Sequence, residues 1–163
     1  MRWLGTTCMV ALGLAAGGGA WAAQSQSAIV ERACYGVPAS QWDGSPLLAA
    51  QTLRGVQEIK PDAPVSEAET VVPRAGARLL LRATPGMTAE WMQRIAECHM
   101  AQVAAAPPWT LTSSPLDVKG AMVAVQSSGD GFTVDITSPD VKVARDILNR
   151  AKALVPPPAP AVR

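Results

Sequence analysis

Residues 120–138, GAMVAVQSSGDGFTVDITS, contain the pattern that decides the fold. The runs 120–128 and 132–138 are interpreted as alternating strands, and Gly-Asp-Gly stands between them. The second run is the clearer one, with Phe132, Val134 and Ile136 on one side and Thr133, Asp135 and Thr137 on the other. Alternation with a period of two is typical of half-buried strands, and Asp-Gly favours a tight turn because these residues tolerate positive φ. The stretch therefore predicts an antiparallel hairpin.

A helix is predicted on each side of this hairpin. The upstream helix begins after Thr88, whose hydroxyl is a good N-cap, and ends before Pro107-Pro108. The downstream helix, within residues 140–154, follows Ser138-Pro139, which predicts Ser138 as the N-cap with proline at the first helical position. The helical spacing of its apolar residues predicts that the following face the core: Val141, Ala144, Ile147 or Leu148, Ala151 and Leu154.

A buried strand upstream of both helices completes the pattern. Residues 77–83, ARLLLRA, read as that strand, so the order is strand, helix, strand, strand, helix. This order matches the first five elements of the split βαβ, ferredoxin-like plan. The proline-rich 156–163 cannot supply the sixth strand, because prolines lack the backbone donor. We therefore expect an α+β two-layer sandwich whose open edge is completed by residues 56–59 or by a partner protein.

The chain begins with a stretch that resembles an export signal. Arg2 precedes a glycine-rich apolar run shorter than the roughly 20 residues that span a bilayer, and the run ends in Ala-Trp-Ala at 20–22. A signal peptide cleaved after Ala22 is expected, with an uncleaved membrane anchor as the alternative. The expected organisation is a signal peptide at 1–22, an N-terminal segment with a short helix from Ser27 and loops at 23–75, a core domain at 76–156 and a proline-rich tail at 157–163.

Charge argues against a nucleic-acid partner. Loss of Arg2 with the signal leaves 13 basic residues against 13 acidic ones, and the basic residues do not cluster in the sequence. Proteins that bind nucleic acids or anionic membranes through net charge carry a basic excess. We expect neither a nucleic-acid partner nor a stable membrane span once the signal is removed.

The cysteines predict a disulfide. Cys8 leaves with the signal, so the mature chain keeps Cys34 and Cys98. An even pair in an exported protein is usually bonded, although two free thiols or metal ligation are alternatives. Closing that loop would stabilise the fold by about 4 kcal/mol in the chain-entropy model.

The most chemically varied stretch is ECHM at 97–100, which holds Cys98 beside His99, the sole histidine. Neighbouring side chains on a helix point about 100° apart, so the two cannot form a cysteine–histidine nucleophile, and we predict no catalytic residues. No resident cofactor is expected. The alternative is a copper or zinc ion held by His99, with Cys98 and ligands from other elements. Otherwise His99 is expected on the helix surface or half-buried, with its nitrogens meeting water or a backbone carbonyl.

Several short motifs resemble those of a set of small exported bacterial proteins that have no known activity. They are PGMT-x-E-W, Cys-His on the helix that follows, the hairpin GDGF-x-V-x-I-x-S and a final A-x-x-I-L-x-R-A helix. The resemblance covers about residues 77–154. It implies the extent of the domain and no activity.

Together these features predict a periplasmic or secreted protein that binds instead of catalysing. We expect a small non-catalytic binding or structural domain of the cell envelope, stabilised by a disulfide. The alternative is a periplasmic copper- or zinc-binding protein that uses His99 and Cys98. An enzyme using Asp135 or Asp140 is a third hypothesis, without a substrate.

Overall fold

The computed structural model describes residues 18–48, 51–61 and 74–155. Three helices and four strands make up its regular structure. In chain order they are α1 (Gly18–Ala33), β1 (Leu53–Ile59), β2 (Ala75–Arg82), α2 (Ala89–Ala105), β3 (Met122–Ser128), β4 (Gly131–Ser138) and α3 (Val141–Ala153). Single 3-10 turns lie at Ala39–Gln41, Ser45–Leu47 and Pro108–Thr110.

The four strands form one antiparallel sheet in the order β1-β2-β4-β3, which confirms the predicted α+β sandwich. β1 pairs with β2 along the edge that the sequence assigned either to residues 56–59 or to a partner. The missing strand of the ferredoxin-like plan is thus supplied from before β2 instead of after α3. Residues 56–59, and not a partner protein, therefore complete the edge of the sheet next to β2.

The hairpin of β3 and β4 has the predicted place and a tight turn. Ser128 pairs with Gly131, and Gly129-Asp130 form the two-residue loop. Gly129 has φ +57° and no described non-glycine residue has positive φ, so the first loop position alone is left-handed. Glycine at that position is the type II′ arrangement, which matches the twist of the flanking strands.

The core lies between one face of the sheet and helices α2 and α3. Leu79 of β2 lies opposite Val134 of β4, and both are fully buried. Ile95 of α2 and Ile147 of α3 are fully buried above them. Each such side chain contributes about 1.5–3 kcal/mol by leaving water.

Helix α3 begins two residues later than predicted. Its N-cap is Asp140, whose carboxylate accepts hydrogen bonds from the backbone N–H groups of Lys142 and Val143, so the prediction of Ser138 as N-cap is wrong. The carboxylate also carries a charge that the helix dipole favours. Val141, predicted to be buried, is exposed at the first turn, whereas Ala144, Ile147 and Ala151 are buried as predicted.

Helix α1 is longer than the short helix expected from Ser27. It starts at Gly18 and packs against α2, so it runs across the predicted cleavage site after Ala22. The N-terminal segment 23–75 therefore shares its sheet and its helical layer with the core domain. Residues 1–17, the middle of the loop predicted between β1 and β2 (62–73) and the tail 157–163 lie outside the described residues. None of the helices in the described part of the chain is long and apolar enough to cross a bilayer.

The side chain of Gln93 covers part of the outer edge of β3. Its amide nitrogen donates to the carbonyl of Val123 at 3.2 Å, and its amide oxygen accepts from the N–H of Val125 at 2.7 Å. A carboxamide thus stands where the peptide group of another strand would pair. Blocking edge groups in this way discourages pairing with a second chain.

Replacing Gln93 with leucine is expected to lower the free energy of unfolding by about 1 kcal/mol and to increase self-association, because two edge groups lose their partner. Urea denaturation and sedimentation velocity measure the two effects. Gln126→Leu, at an exposed position of β3 itself, is the matched control. Equal self-association of both variants would show that Gln93 does not protect the edge.

Candidate functional site

A disulfide joins the N-terminal segment to helix α2, as the cysteine count predicted. The sulfur atoms of Cys34 and Cys98 are 2.04 Å apart and both residues are buried. The amide of Gln102, one turn further along α2, points at both sulfurs, at 3.6 Å from Cys34 and 3.4 Å from Cys98. The end of α1 is therefore fixed to the middle of α2.

His99 lies beside this disulfide but on a different side of α2, and it is buried. Its Nδ1 is 3.0 Å from the carbonyl oxygen of Trp42, and its Nε2 is 2.7 Å from Oδ1 of Asp117. His99 is thus more buried than the surface or half-buried position that was expected, because two loops cover this flank of α2. The backbone carbonyl among its expected partners is present, whereas Asp117 is a functional candidate that the sequence did not single out.

Asp117 is buried and its carboxylate is fully engaged. The oxygen that does not face His99 accepts hydrogen bonds from the backbone N–H of Thr112, at 2.9 Å, and from the Thr112 hydroxyl. Burial works to raise the pKa of Asp117, but the hydrogen bonds from Thr112 and His99 outweigh burial and hold that pKa below its ordinary value. The carboxylate is therefore ionised at neutral pH.

We call residues 38–48 the Trp42 loop. Side chains of α2 hold this loop through the backbone carbonyl oxygen of Trp42. The carbonyl oxygen of Trp42 faces both His99 and the amide of Gln102, the latter at 3.3 Å, while its indole N–H donates to the carbonyl of Val37. Gly44 has φ +69°, and a Cβ there would lie 3.4 Å from the His99 ring and 3.2 Å from Leu116. Glycine thus lets the loop lie directly against the imidazole.

Two open clefts lie on either side of the Trp42 loop. One, of about 640 Å³, is lined by Trp42, His99, Asp117 and the segment that follows α2. The other, of about 620 Å³, is lined by Trp42, Cys34, Tyr35 and the last turns of α1. Trp109, on the segment after α2, is 84 % exposed, and Tyr35 is 79 % exposed. Clefts with exposed aromatic side chains at the rim are typical of binding surfaces.

The side chains considered as catalytic candidates all make structural contacts. Both ring nitrogens of His99 are occupied, and the sulfur of Cys98 is bonded to Cys34. Asp135 forms an ion pair with Arg78, at 2.6 Å, and Asp140 caps α3. Each candidate for acid, base or nucleophile thus has a structural partner.

Copper or zinc binding by His99, with Cys98, stays a prediction. Ligation at His99 would have to displace the Trp42 carbonyl or Asp117, and ligation at Cys98 would need a reduced disulfide. Within 18–48, 51–61 and 74–155 no three His, Cys, Asp or Glu side chains are grouped so that they could hold a metal ion. Stoichiometric copper or zinc uptake that disappears in His99→Ala would support the prediction.

No protein-family model, no curated protein and no solved structure matches this chain.

The lowered pKa of Asp117 predicts a contribution to acid unfolding. A carboxyl whose pKa is lower in the folded than in the unfolded state stabilises the fold above the ordinary value of 3.8, and this stabilisation is lost as the pH falls through the folded-state pKa. Asp117→Asn should therefore reduce the difference in urea stability between about pH 6 and about pH 3. Asp43→Asn, which removes an exposed carboxyl whose pKa is also lowered, mainly by Ser45, should change that difference less. Equal effects of the two variants would contradict the assignment.

Proposed function

We propose that this chain is an exported, non-catalytic binding domain of the cell envelope that uses the cleft between the Trp42 loop and the segment after α2. The observation that carries the proposal is the way this cleft is built. One of its walls is a loop whose Trp42 carbonyl is held by the buried side chain of His99 and the half-buried side chain of Gln102. A wall fixed before binding reduces the ordering cost that a ligand has to meet.

The composition of the cleft rim supports a contact role. Thr110 and Leu111 line the cleft, and Trp109, which directly precedes them in the chain, exposes most of its indole. Tryptophan is enriched among the residues that dominate binding energy, because it buries a large rigid surface at low entropic cost. Export is supported by the signal-like start of the chain and by the disulfide, since disulfides persist in oxidising compartments.

Two measurements test the proposal. The mass of the protein recovered from the cell envelope, with and without reductant, reports cleavage after Ala22 and the state of Cys34 and Cys98. A photoreactive residue at Thr110 should give a discrete adduct in intact cells, and that adduct should disappear when Trp109→Ala is added. The same photoreactive residue at Gln126, on β3, is the control. Identical adduct patterns from Thr110 and Gln126 would refute binding at this cleft, and a full-length cytoplasmic product would refute export.

A further inference from the structure

Both ring nitrogens of His99 face hydrogen-bond acceptors. The Trp42 carbonyl oxygen, 3.0 Å from Nδ1, can only accept, and the Asp117 carboxylate, 2.7 Å from Nε2, can only accept while it is ionised. A neutral imidazole carries one N–H, so one of these two contacts would bring a nitrogen lone pair against an oxygen lone pair. His99 and Asp117 therefore need a second proton between them if both ring nitrogens are to donate hydrogen bonds.

We propose that His99 is held as an imidazolium paired with the Asp117 carboxylate, and that loss of its Nδ1 proton as the pH rises releases the Trp42 loop. The second proton belongs to the ring and not to the carboxyl, because Thr112 donates two hydrogen bonds to the other carboxylate oxygen. Those bonds favour the ionised form of Asp117. The buried charges then compensate each other within hydrogen-bonding distance.

The charged groups around the ring agree with this assignment. Asp43, on the Trp42 loop, adds a second carboxylate that interacts electrostatically with His99. Among the described residues, two cations are bonded to the neighbouring backbone: Arg150 of α3, whose guanidinium donates to the carbonyls of Thr112 and Ser114, and Lys119, whose ammonium donates to the carbonyl of Ala104. Gln102 and the disulfide, which approach from α2 and α1, carry no charge. The guanidinium of Arg150 is itself paired with Asp146, at 2.9 Å, whereas the carboxylate of Asp117 contacts the ring directly.

Deprotonation acts on one bond in particular. A neutral ring keeps its N–H on the side of the carboxylate, since that is the stronger acceptor. The Nδ1 lone pair then faces the Trp42 carbonyl oxygen, and the hydrogen bond between them is lost. The Trp42 carbonyl keeps its other donor, the Gln102 amide, at the longer distance of 3.3 Å. The Trp42 loop, which separates the two clefts, therefore becomes looser at high pH and firmer at low pH, as in other histidine-based switches.

The wild-type protein without any ligand gives the primary test. Because His99 is the sole histidine, its two ¹⁵N resonances can be followed from about pH 5 to about pH 9 without ambiguity. We expect both nitrogens to be protonated at the acidic end and Nδ1 alone to lose its proton as the pH rises. Hydrogen exchange at the backbone amides of Gly44 and Leu47, corrected for its intrinsic pH dependence, should accelerate about tenfold over the same interval. A ring with one N–H at every pH would overturn the proposal, whatever the exchange rates.

Two variants locate the titrating group. His99→Gln should abolish the pH dependence of the exchange rates, because glutamine does not titrate in this range. Gln102→Leu removes the other donor to the Trp42 carbonyl and should keep the pH dependence at equal or larger amplitude. An unchanged pH dependence in His99→Gln would overturn the proposal, and so would its loss in Gln102→Leu. None of these measurements requires a ligand. The pH-dependent release of the Trp42 loop can therefore be refuted without refuting the proposed binding role, and the binding role can be refuted without refuting the loop release.

Discussion

Replacing Cys34 and Cys98 together with alanine is expected to lower the free energy of unfolding by about 4 kcal/mol. The bond closes a loop between residues 64 positions apart, and the chain-entropy model attributes that stabilisation to the restricted unfolded state. A domain of this size has a total stability of about 5–15 kcal/mol, so the loss is a large share of it. Urea denaturation followed by circular dichroism, at one pH and temperature, measures the change.

Reductant provides the control for this prediction. Wild-type protein kept reduced should lose about the same stability as the double alanine variant, and the variant itself should not respond to reductant. A double variant that stays within about 1 kcal/mol of the oxidised protein would show that the bond does not constrain the unfolded chain. The disulfide would then be a consequence of the packing of α1 on α2 and not a source of stability.

The disulfide also explains how the first third of the chain joins the fold. α1 packs on α2 and is bonded to it through Cys34, while β1 extends the sheet next to β2. Between them the Trp42 loop crosses the flank of α2 and meets His99. The N-terminal segment thus supplies both the missing strand and one wall of the candidate site.

The sequence predicted those helices and strands whose boundaries and periodicity are set by neighbouring residues. The alternation in β4, the Gly-Asp-Gly stretch that precedes it and the Thr88 cap of α2 are all readable within a few residues, although the turn is formed by Gly129-Asp130 and not by the Asp-Gly dipeptide. The predicted start of α3 is wrong because Ser138 and Asp140 both favour the N-cap position. The carboxylate of Asp140 is the group that accepts from the N–H groups of Lys142 and Val143. β1 begins at Leu53, earlier than the 56–59 expected from the sequence, and a bulge between Leu53 and Gly55 breaks the period of two at its start.

The site could be predicted only in part, for a geometric reason. Helical geometry correctly separated Cys98 from His99, and the cysteine count paired Cys98 with Cys34. The partners of His99, however, lie 57 residues before it and 18 residues after it, on segments outside the α-helices and strands. Nothing local in the sequence tells which loops pack on a given flank of a helix. A histidine expected on the helix surface or half-buried is therefore buried by its tertiary surroundings.

Replacing His99 with leucine is expected to lower the free energy of unfolding by about 3–5 kcal/mol. The change leaves the Asp117 carboxylate buried without its partner, and removing one member of a buried ion pair costs that much because the other charge stays uncompensated. It also removes a donor from the Trp42 carbonyl, so the Trp42 loop should exchange its amides faster at every pH. Urea denaturation near neutral pH measures the stability.

Adding Asp117→Asn to His99→Leu should restore part of the lost stability, although Asp117→Asn alone destabilises the wild type. The asparagine side chain carries no charge and its oxygen can still accept from Thr112, so the double variant no longer buries an isolated carboxylate. Gln102→Leu, which also removes a donor from the Trp42 carbonyl but no charge, is the control and should combine additively with Asp117→Asn. Should the effects of His99→Leu and Asp117→Asn add as well, the two side chains would be neighbours without a charge interaction. Such a result would remove the imidazolium–carboxylate pair on which the pH-dependent loop depends.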